Sequence, residues 1–126
     1  MSIVTPLKKA RGLGSAKEGT HHWWMQRVTA IALIPLILWF LYSIIALNGE
    51  PYEVALNHFI SPFNAAIASL FILAAFYHAS LGLQVVIEDY IHHETRKLAA
   101  LIGMKFFLAV TGATSIFAIL RAAFGN

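Results

Sequence analysis

Three long apolar runs, separated by short polar connectors, account for most of the chain. Apolar residues dominate about residues 22–47, 62–90 and 98–121. As a helix rising about 1.5 Å per residue, each run is long enough to cross a hydrocarbon layer of roughly 30 Å. The pattern therefore predicts an all-α membrane protein with three transmembrane helices, organised as a single domain over residues 1–126.

The second run contains the most informative interruption of the apolar pattern. No Asp, Glu, Lys or Arg occurs from Phe63 to Ile87, yet His78 lies well inside this segment. Gly82 follows one turn later on the same side of the helix. Asp89, about 20° round the helix from His78, and the neighbouring Tyr90 come where the hydrocarbon should end. One face thus presents an imidazole, a notch beside it, and then a carboxylate with a phenol.

Two interpretations of His78 follow from the residues alone. The first is a hydrogen bond from the imidazole to a neighbouring helix. The second is ligation of a flat cofactor such as haem, because an ionisable group in lipid is costly and neutral imidazole is a haem ligand. Gly82 would leave room for such a group. Both interpretations stay open at this level.

Polar flanks precede the first apolar run. Residues 1–19 are basic and predict a surface arm that faces either anionic lipid or a soluble partner. Trp23 and Trp24 are typical of an interfacial anchor. Arg27 either reaches lipid head groups or pairs with a carboxylate or propionate of a buried ligand. His21 and His22 are adjacent and cannot share a helix face, so they do not predict a metal site.

The remaining segments carry weaker signals. Pro35 should bend the first span. Residues 52–60 predict a short surface helix, and we expect His58 within it to be a solvated loop histidine. Lys105 should extend toward the 91–97 connector. The third run also offers a small-residue surface to another helix, formed by Ala109, Gly112, Ala113 and Thr114.

Composition narrows the possible chemistry. The chain has 126 residues, of which 59% are hydrophobic and 12% charged, and it has no cysteine. It can therefore supply neither a disulfide nor a thiolate ligand for zinc or an iron–sulfur cluster. The formal net charge of +3 is modest. The expected surroundings are the lipid bilayer, and no nucleic-acid partner is implied.

The distribution of Lys and Arg predicts the orientation. Five of these residues lie at or before Arg27 and two in the 91–97 connector, whereas residues 48–61 contain none. The positive-inside rule then places the N-terminus in the cytoplasm and the C-terminus in the periplasm. Arg27, His21, Asp89 and Tyr90 would all lie at the cytoplasmic boundary, which makes them candidates for one site.

These motifs resemble a known family. The segment from His78 to Tyr90, HASLGLQVVIEDY, contains the pattern H-x-x-x-G-x-x-x-x-x-x-D-Y, and GTHHWWMQRVTAI precedes the first span. Both are similar to the hydrophobic membrane-anchor subunit of succinate dehydrogenase, also called complex II. The resemblance covers nearly the whole chain, although the third span matches only as hydrophobic sequence. The lack of a presequence favours the bacterial type, in the inner membrane.

The resemblance implies a haem site. His78 would be one axial ligand of a b-type haem iron, beside Gly82, and a companion cytochrome b anchor subunit would supply the other ligand. Arg27 and His21 would interact with the haem propionates or with the rim of the neighbouring quinone site.

It also implies a quinone-reduction site. Tyr90 would donate a hydrogen bond to a carbonyl of ubiquinone, while Asp89 would shape the pocket and serve proton delivery. Succinate oxidation would belong to the iron–sulfur and flavoprotein subunits of the complex. No activity is expected from the isolated chain.

Two other functions remain open. One is a purely structural, haem-free anchor in which His78 bonds a neighbouring helix. The other is a three-helix proton or ion transport subunit that uses His78 and Asp89 as a relay. The relay needs a water path over roughly 16 Å of helix, and apart from Ser80 and Gln84 the segment between the two residues has too few polar side chains to line it.

Overall fold

The apolar runs fold into helices, and the short connectors between them form turns. The computed structural model describes Pro6 and residues 17–125, and over residues 17–125 the chain forms four helices. In chain order these are α1 (Lys17–Ala46), α2 (Tyr52–Ile60), α3 (Pro62–Tyr90) and α4 (Glu94–Phe124). Apart from Pro6 and its last three residues, which begin α1, the predicted arm of residues 1–19 lies outside the described part.

Three of these helices are long and apolar enough to cross a membrane. The qualifying segments are Gly19–Ala46, Pro62–Tyr90 and Glu94–Phe124. The described residues include no strand. The prediction of an all-α protein with three transmembrane helices is therefore confirmed, and α2 is the short additional helix between the first two spans.

Local chemistry explains where the helices begin. Pro62 occupies the first turn of α3, where a missing N–H leaves no hydrogen bond unmade. Ser61 precedes it, but its hydroxyl donates to the His58 carbonyl (3.0 Å) instead of capping α3. Helix α4 already begins at Glu94, where an acidic side chain suits the first turn, and the connector shortens to residues 91–93.

Helix α3 lies between the other two spans. Phe40 and Phe71 stack their phenyl rings with centroids 5.2 Å apart. Thr29, earlier on α1, contacts His78, later on α3, so the two helices are antiparallel neighbours. On another side of α3, Gly112 of α4 packs on Phe76, where an added Cβ would lie 3.3 Å from Cδ1. The backbones of α1 and α4 do not approach each other over the described residues. The chain is thus an open arrangement around α3.

A stripe of side chains on α1 faces α3 and the short helix. Its members recur at alternating spacings of four and three residues, the spacing of a helix that packs against another. All of them are buried or half-buried, and we call them the inner stripe: His22, Gln26, Thr29, Leu33, Leu36, Phe40 and Ser43. Two of its apolar members, Leu33 and Leu36, form the small core together with Ala65, Ala68 and Leu81 of α3.

The expectation for His58 is wrong. His58 lies on helix α2, half-buried, and its Nε2 is 3.0 Å from Oγ of the fully buried Ser43 on α1. Its ring stacks on Trp39, with centroids 6.5 Å apart. The sequence suggested solvent because the segment is short and amphipathic. In the structure the short helix folds back on the spans, and His58 ties it to them.

Candidate functional site

The antiparallel pairing of α1 and α3 brings the beginning of one helix to the end of the other. At their crossing, Oγ1 of Thr29 lies 2.8 Å from Nδ1 of His78. Thr29 is only 7% exposed and His78 is half-buried. The hydrogen bond to a neighbouring helix, one of the two interpretations of His78, is therefore present. It uses one of the two ring nitrogens.

An open cavity of about 450 Å³ lies one turn further along, between the start of α1 and the end of α3. Its lining combines polar side chains of α1 with the notch on α3, and comprises Gly19, His22, Trp23, Gln26, Arg27, Gly82 and Val85. A Cβ at Gly82 would come no closer than 3.8 Å to Gln26 Nε2, an ordinary contact. Packing within this chain does not require the glycine, so its effect is to widen the cavity.

Two polar atoms of the cavity lining are left without partners. His22 Nε2 and Gln26 Oε1 are buried, and neither has a hydrogen-bond partner among the described residues. A buried polar atom that makes no hydrogen bond costs free energy, so atoms of this kind are nearly always satisfied by something. Two residues that line the cavity therefore have hydrogen-bonding capacity that the described part of the chain does not use.

Arg27 is the cation of this cavity. Its guanidinium lies over the ring of Trp23, with Cζ 5.3 Å from the ring centroid. Trp23 in turn meets Trp24 edge to face, with ring centroids 5.3 Å apart. Stacking on an aromatic face restricts a guanidinium while leaving its N–H donors available to an anion. Arg27 is thus placed to receive a carboxylate at the mouth of the cavity.

The structure leaves Asp89 and Tyr90 apart from this cavity. Both are exposed on the last turn of α3, with Tyr90 79% exposed. Within the described residues, no hydrogen bond or ion pair joins Arg27 to either of them; the ion pair present is between Lys97 and Glu94, at 3.4 Å. The four predicted boundary residues lie at the same end of the helix pair without forming a closed cluster.

The two adjacent histidines differ in placement. His21 is exposed, whereas His22 lines the cavity. Sequence reasoning considered His21 and missed His22, Gln26 and Thr29. A signal for them exists, since all three are polar members of the inner stripe and continue the spacing of Leu33 and Leu36.

The side chains present are compatible with one type of metal centre. The described residues include no group of three or more His, Asp or Glu side chains that could hold a metal ion. A haem iron needs only one or two imidazoles from protein, since the porphyrin supplies the other ligands. His78 beside Gly82, with an arginine and an unpaired histidine nitrogen nearby, fits that requirement.

These features define a class: an all-α, three-span membrane protein with a polar cavity where two spans meet. Residues 1–112 match the family model described as the succinate dehydrogenase/fumarate reductase transmembrane subunit. The chain belongs to this family. No solved structure matches it.

Individual relatives agree with the family assignment. The chain is similar to a succinate dehydrogenase hydrophobic membrane anchor subunit from Paracoccus denitrificans, 38% identical over 99% of this chain and 96% of the relative. A protein of the same description from Rickettsia bellii is 38% identical over 88% and 89% of the two chains. Family and relatives support a succinate dehydrogenase membrane-anchor subunit, which associates with the membrane and with other subunits of its complex.

Proposed function

We propose that the chain binds a b-type haem together with a companion anchor subunit and contributes residues to a site that reduces ubiquinone. The observation that carries this proposal is His78. It lies within a membrane span beside Gly82, its Nδ1 is occupied by Thr29, and a cavity with unpaired polar atoms adjoins it. The family assignment supplies the complex in which such a site would operate.

The residues around the cavity fit a haem and its propionates. Because Thr29 contacts Nδ1 of His78, Nε2 would be the atom that binds the haem iron. Gly82 leaves space beside it for a flat ring. Arg27 and the unpaired Nε2 of His22 supply donors for carboxylates. His21 is exposed, so it would serve a propionate or the quinone rim only where the companion subunit meets this chain. Bound haem would supply a one-electron redox centre.

Tyr90 and Asp89 suit a quinone site completed by other subunits. Reduction of a quinone to a quinol takes two electrons and two protons. The Tyr90 hydroxyl would donate a hydrogen bond to a quinone carbonyl, and the neighbouring carboxylate of Asp89 would exchange protons with water. Their exposure here is consistent with a pocket whose remaining walls come from the iron–sulfur subunit and the companion anchor.

The electrons would come from succinate oxidation in the soluble subunits. That reaction requires a flavin and iron–sulfur clusters, and a chain with no cysteine has no thiolates for such clusters. We assign the oxidation to the flavoprotein and iron–sulfur subunits. With five Lys and Arg residues at or before Arg27, the orientation that places this end of the spans in the cytoplasm suits docking of those subunits, in a bacterial inner membrane.

A haem-free structural anchor is the second candidate. The hydrogen bond between Thr29 and His78 favours it, because that contact joins two spans whether or not a cofactor is present. The two functions differ in what they require of His78. An anchor uses only its Nδ1 contact, whereas haem binding also needs Nε2.

A redox difference spectrum of the whole purified complex separates the two. We expect reduced minus oxidised absorption of the wild type to show a b-type band, and His78→Ala to lose or markedly weaken it. His92→Ala, an exposed histidine in the connector, is the matched control and should keep the band. A wild-type complex without a b-type band would establish the haem-free anchor instead. A His78→Ala complex with the full band at an unchanged potential would show that His78 does not bind the haem iron.

A further inference from the structure

Thr29 has three neighbours within hydrogen-bonding distance of its hydroxyl oxygen, which carries a single hydrogen. Its Oγ1 lies 2.6 Å from the Met25 carbonyl oxygen and 3.2 Å from that of Gln26, both on α1. The same atom lies 2.8 Å from Nδ1 of His78 on α3. With Thr29 only 7% exposed, these contacts are nearly shielded from water.

The hydrogen can be assigned from the chemistry of the partners. A carbonyl oxygen only accepts hydrogen bonds, so the hydroxyl must donate in its short contact with Met25. Its oxygen then has only acceptor capacity left for His78. A hydrogen bond to His78 therefore requires that Nδ1 carries the ring hydrogen, and in a neutral imidazole this leaves the lone pair on Nε2.

We propose that Thr29 is a positioning residue for the haem ligand. It fixes His78 in the Nδ1–H form and holds the ring rotation, so that Nε2 is presented as the ligand atom. Donation from Nδ1–H to an acceptor also makes the imidazole a stronger electron donor, the effect that outer hydrogen bonds have on metal-bound histidines. The inference rests on the proposed function, because it assumes that His78 binds haem iron.

The predicted direction of the effect on reduction potential follows from charge. A more electron-rich imidazole stabilises the ferric state, which carries the higher charge, and so lowers the reduction potential. Removing the acceptor at position 29 should therefore make the potential more positive. A contact that only packs two helices together would change the stability of the complex without this shift.

The test uses three substitutions in the whole complex. Thr29→Val keeps the β-branched shape and removes the hydroxyl, whereas Thr29→Ser keeps the hydroxyl and removes the methyl group. Thr111→Val is the matched control, since the Thr111 hydroxyl also donates to the carbonyl four residues earlier (2.7 Å, to Phe107) but lies on α4, away from His78. Haem content and reduction potential are measured by spectroscopic redox titration of each purified complex.

We expect Thr29→Val to lower the ferric-to-ferrous ratio at a fixed ambient potential by roughly threefold to tenfold, the equilibrium factor of one hydrogen bond. Thr29→Ser and Thr111→Val should titrate like the wild type. If Thr29→Val does not assemble, Thr29→Ala makes the same comparison with Thr29→Ser. The inference would be overturned if Thr29→Val or Thr29→Ala had the wild-type reduction potential. It would also be overturned if Thr29→Ser, which keeps the hydroxyl, shifted the potential by the same amount as they do.

The outcomes also separate this inference from the proposed function. If His78→Ala removes the haem but the reduction potential does not depend on the hydroxyl at position 29, the proposed haem site stands and the proposed role of Thr29 is wrong. A wild-type complex without a b-type band overturns both.

Discussion

At the scale of single residues, the polar side chains on the inner stripe of α1 differ in whether their atoms have hydrogen-bond partners within the described residues. Thr29 has both its donor and an acceptor position occupied, one within its own helix and one across to His78. Gln26 and His22, one and two turns earlier, have atoms without partners among the described residues. The stripe thus changes along its length from a satisfied contact between spans to an unsatisfied cavity wall.

Tyr90 provides the residue-scale test of quinone chemistry. Tyr90→Phe removes only the phenolic donor, so the complex should assemble with its haem content nearly unchanged. A hydrogen bond that strengthens as the quinone carbonyl gains electrons should be worth on the order of 1–3 kcal/mol, or roughly tenfold to a hundredfold in quinone turnover. Succinate oxidation with an artificial acceptor that takes electrons from the soluble subunits should be spared.

Tyr52→Phe is the matched control for this measurement. Tyr52 is 73% exposed against 79% for Tyr90, but it lies on α2 at the opposite end of the spans. Its variant should keep full activity in both assays. Equal quinone turnover in the Tyr90 variant, the Tyr52 variant and the wild type would mean that Tyr90 is an interfacial tyrosine and donates nothing to the quinone.

The sequence identified the candidate residues on α3 more completely than those on α1. His78 and Gly82 stand out within an uncharged run, because nothing else there explains an imidazole beside a glycine. Thr29 and His22 do not stand out, since a threonine or a histidine near the start of a span also suits contact with water or lipid head groups. Their roles depend on how α1 and α3 align with each other, and the residue pattern of a single helix does not predict that alignment.

At the scale of helices, α3 and α4 depend on a close approach at one glycine. Gly112 is buried, and a Cβ there would lie 3.3 Å from Cδ1 and 3.4 Å from Cγ of Phe76. The predicted small-residue surface of α4 is therefore used for packing at Gly112, whereas Ala109, Ala113 and Thr114 are exposed. Lipid tails are as apolar as the helix surface, so the hydrophobic effect does not drive helices together within a membrane. Small residues favour association there because they allow the helices to pack closely.

Gly112→Leu should weaken this packing. Overfilling a close contact costs about 1–3 kcal/mol, because Phe76 or the helix backbone must move. The expected result is a lower midpoint temperature for dissociation of the detergent-solubilised complex. Gly103→Leu is the control on the same helix, since a Cβ at Gly103 meets nothing within 4 Å. Equal midpoints for the two variants would contradict a packing role for Gly112.

The sequence predicts the presence of the helices more directly than the residues at which they begin and end. The apolar runs specify the spans, since nothing but a helix satisfies so long an apolar backbone in lipid. The start of α4 at Glu94 depends on local capping in a polar segment, where hydropathy gives no signal. His58 was misplaced for a related reason, because its contact with Ser43 arises only once α2 packs on the spans.

At the scale of the whole molecule, the orientation of the three spans can be tested directly. The asymmetry of Lys and Arg predicts that reporter fusions at residue 94 lie in the cytoplasm, while those at residues 55 and 126 lie in the periplasm. A cytoplasmic fusion at residue 126 would contradict the predicted orientation. It would also remove the reason for placing Tyr90 beside the soluble subunits.

The central position of α3 has a mechanical consequence. His78 and Phe76 are two residues apart, so they point about 200° from each other round the helix and differ by about 3 Å in height. Thr29 of α1 contacts His78, and Gly112 of α4 packs against Phe76. Helix α3 is thus contacted from opposite sides at nearly the same height, and these contacts resist its rotation about its own axis near the imidazole. If His78 binds haem iron as proposed, a rigidly held imidazole moves little when the charge of the iron changes. The reorganisation energy of electron transfer then stays small.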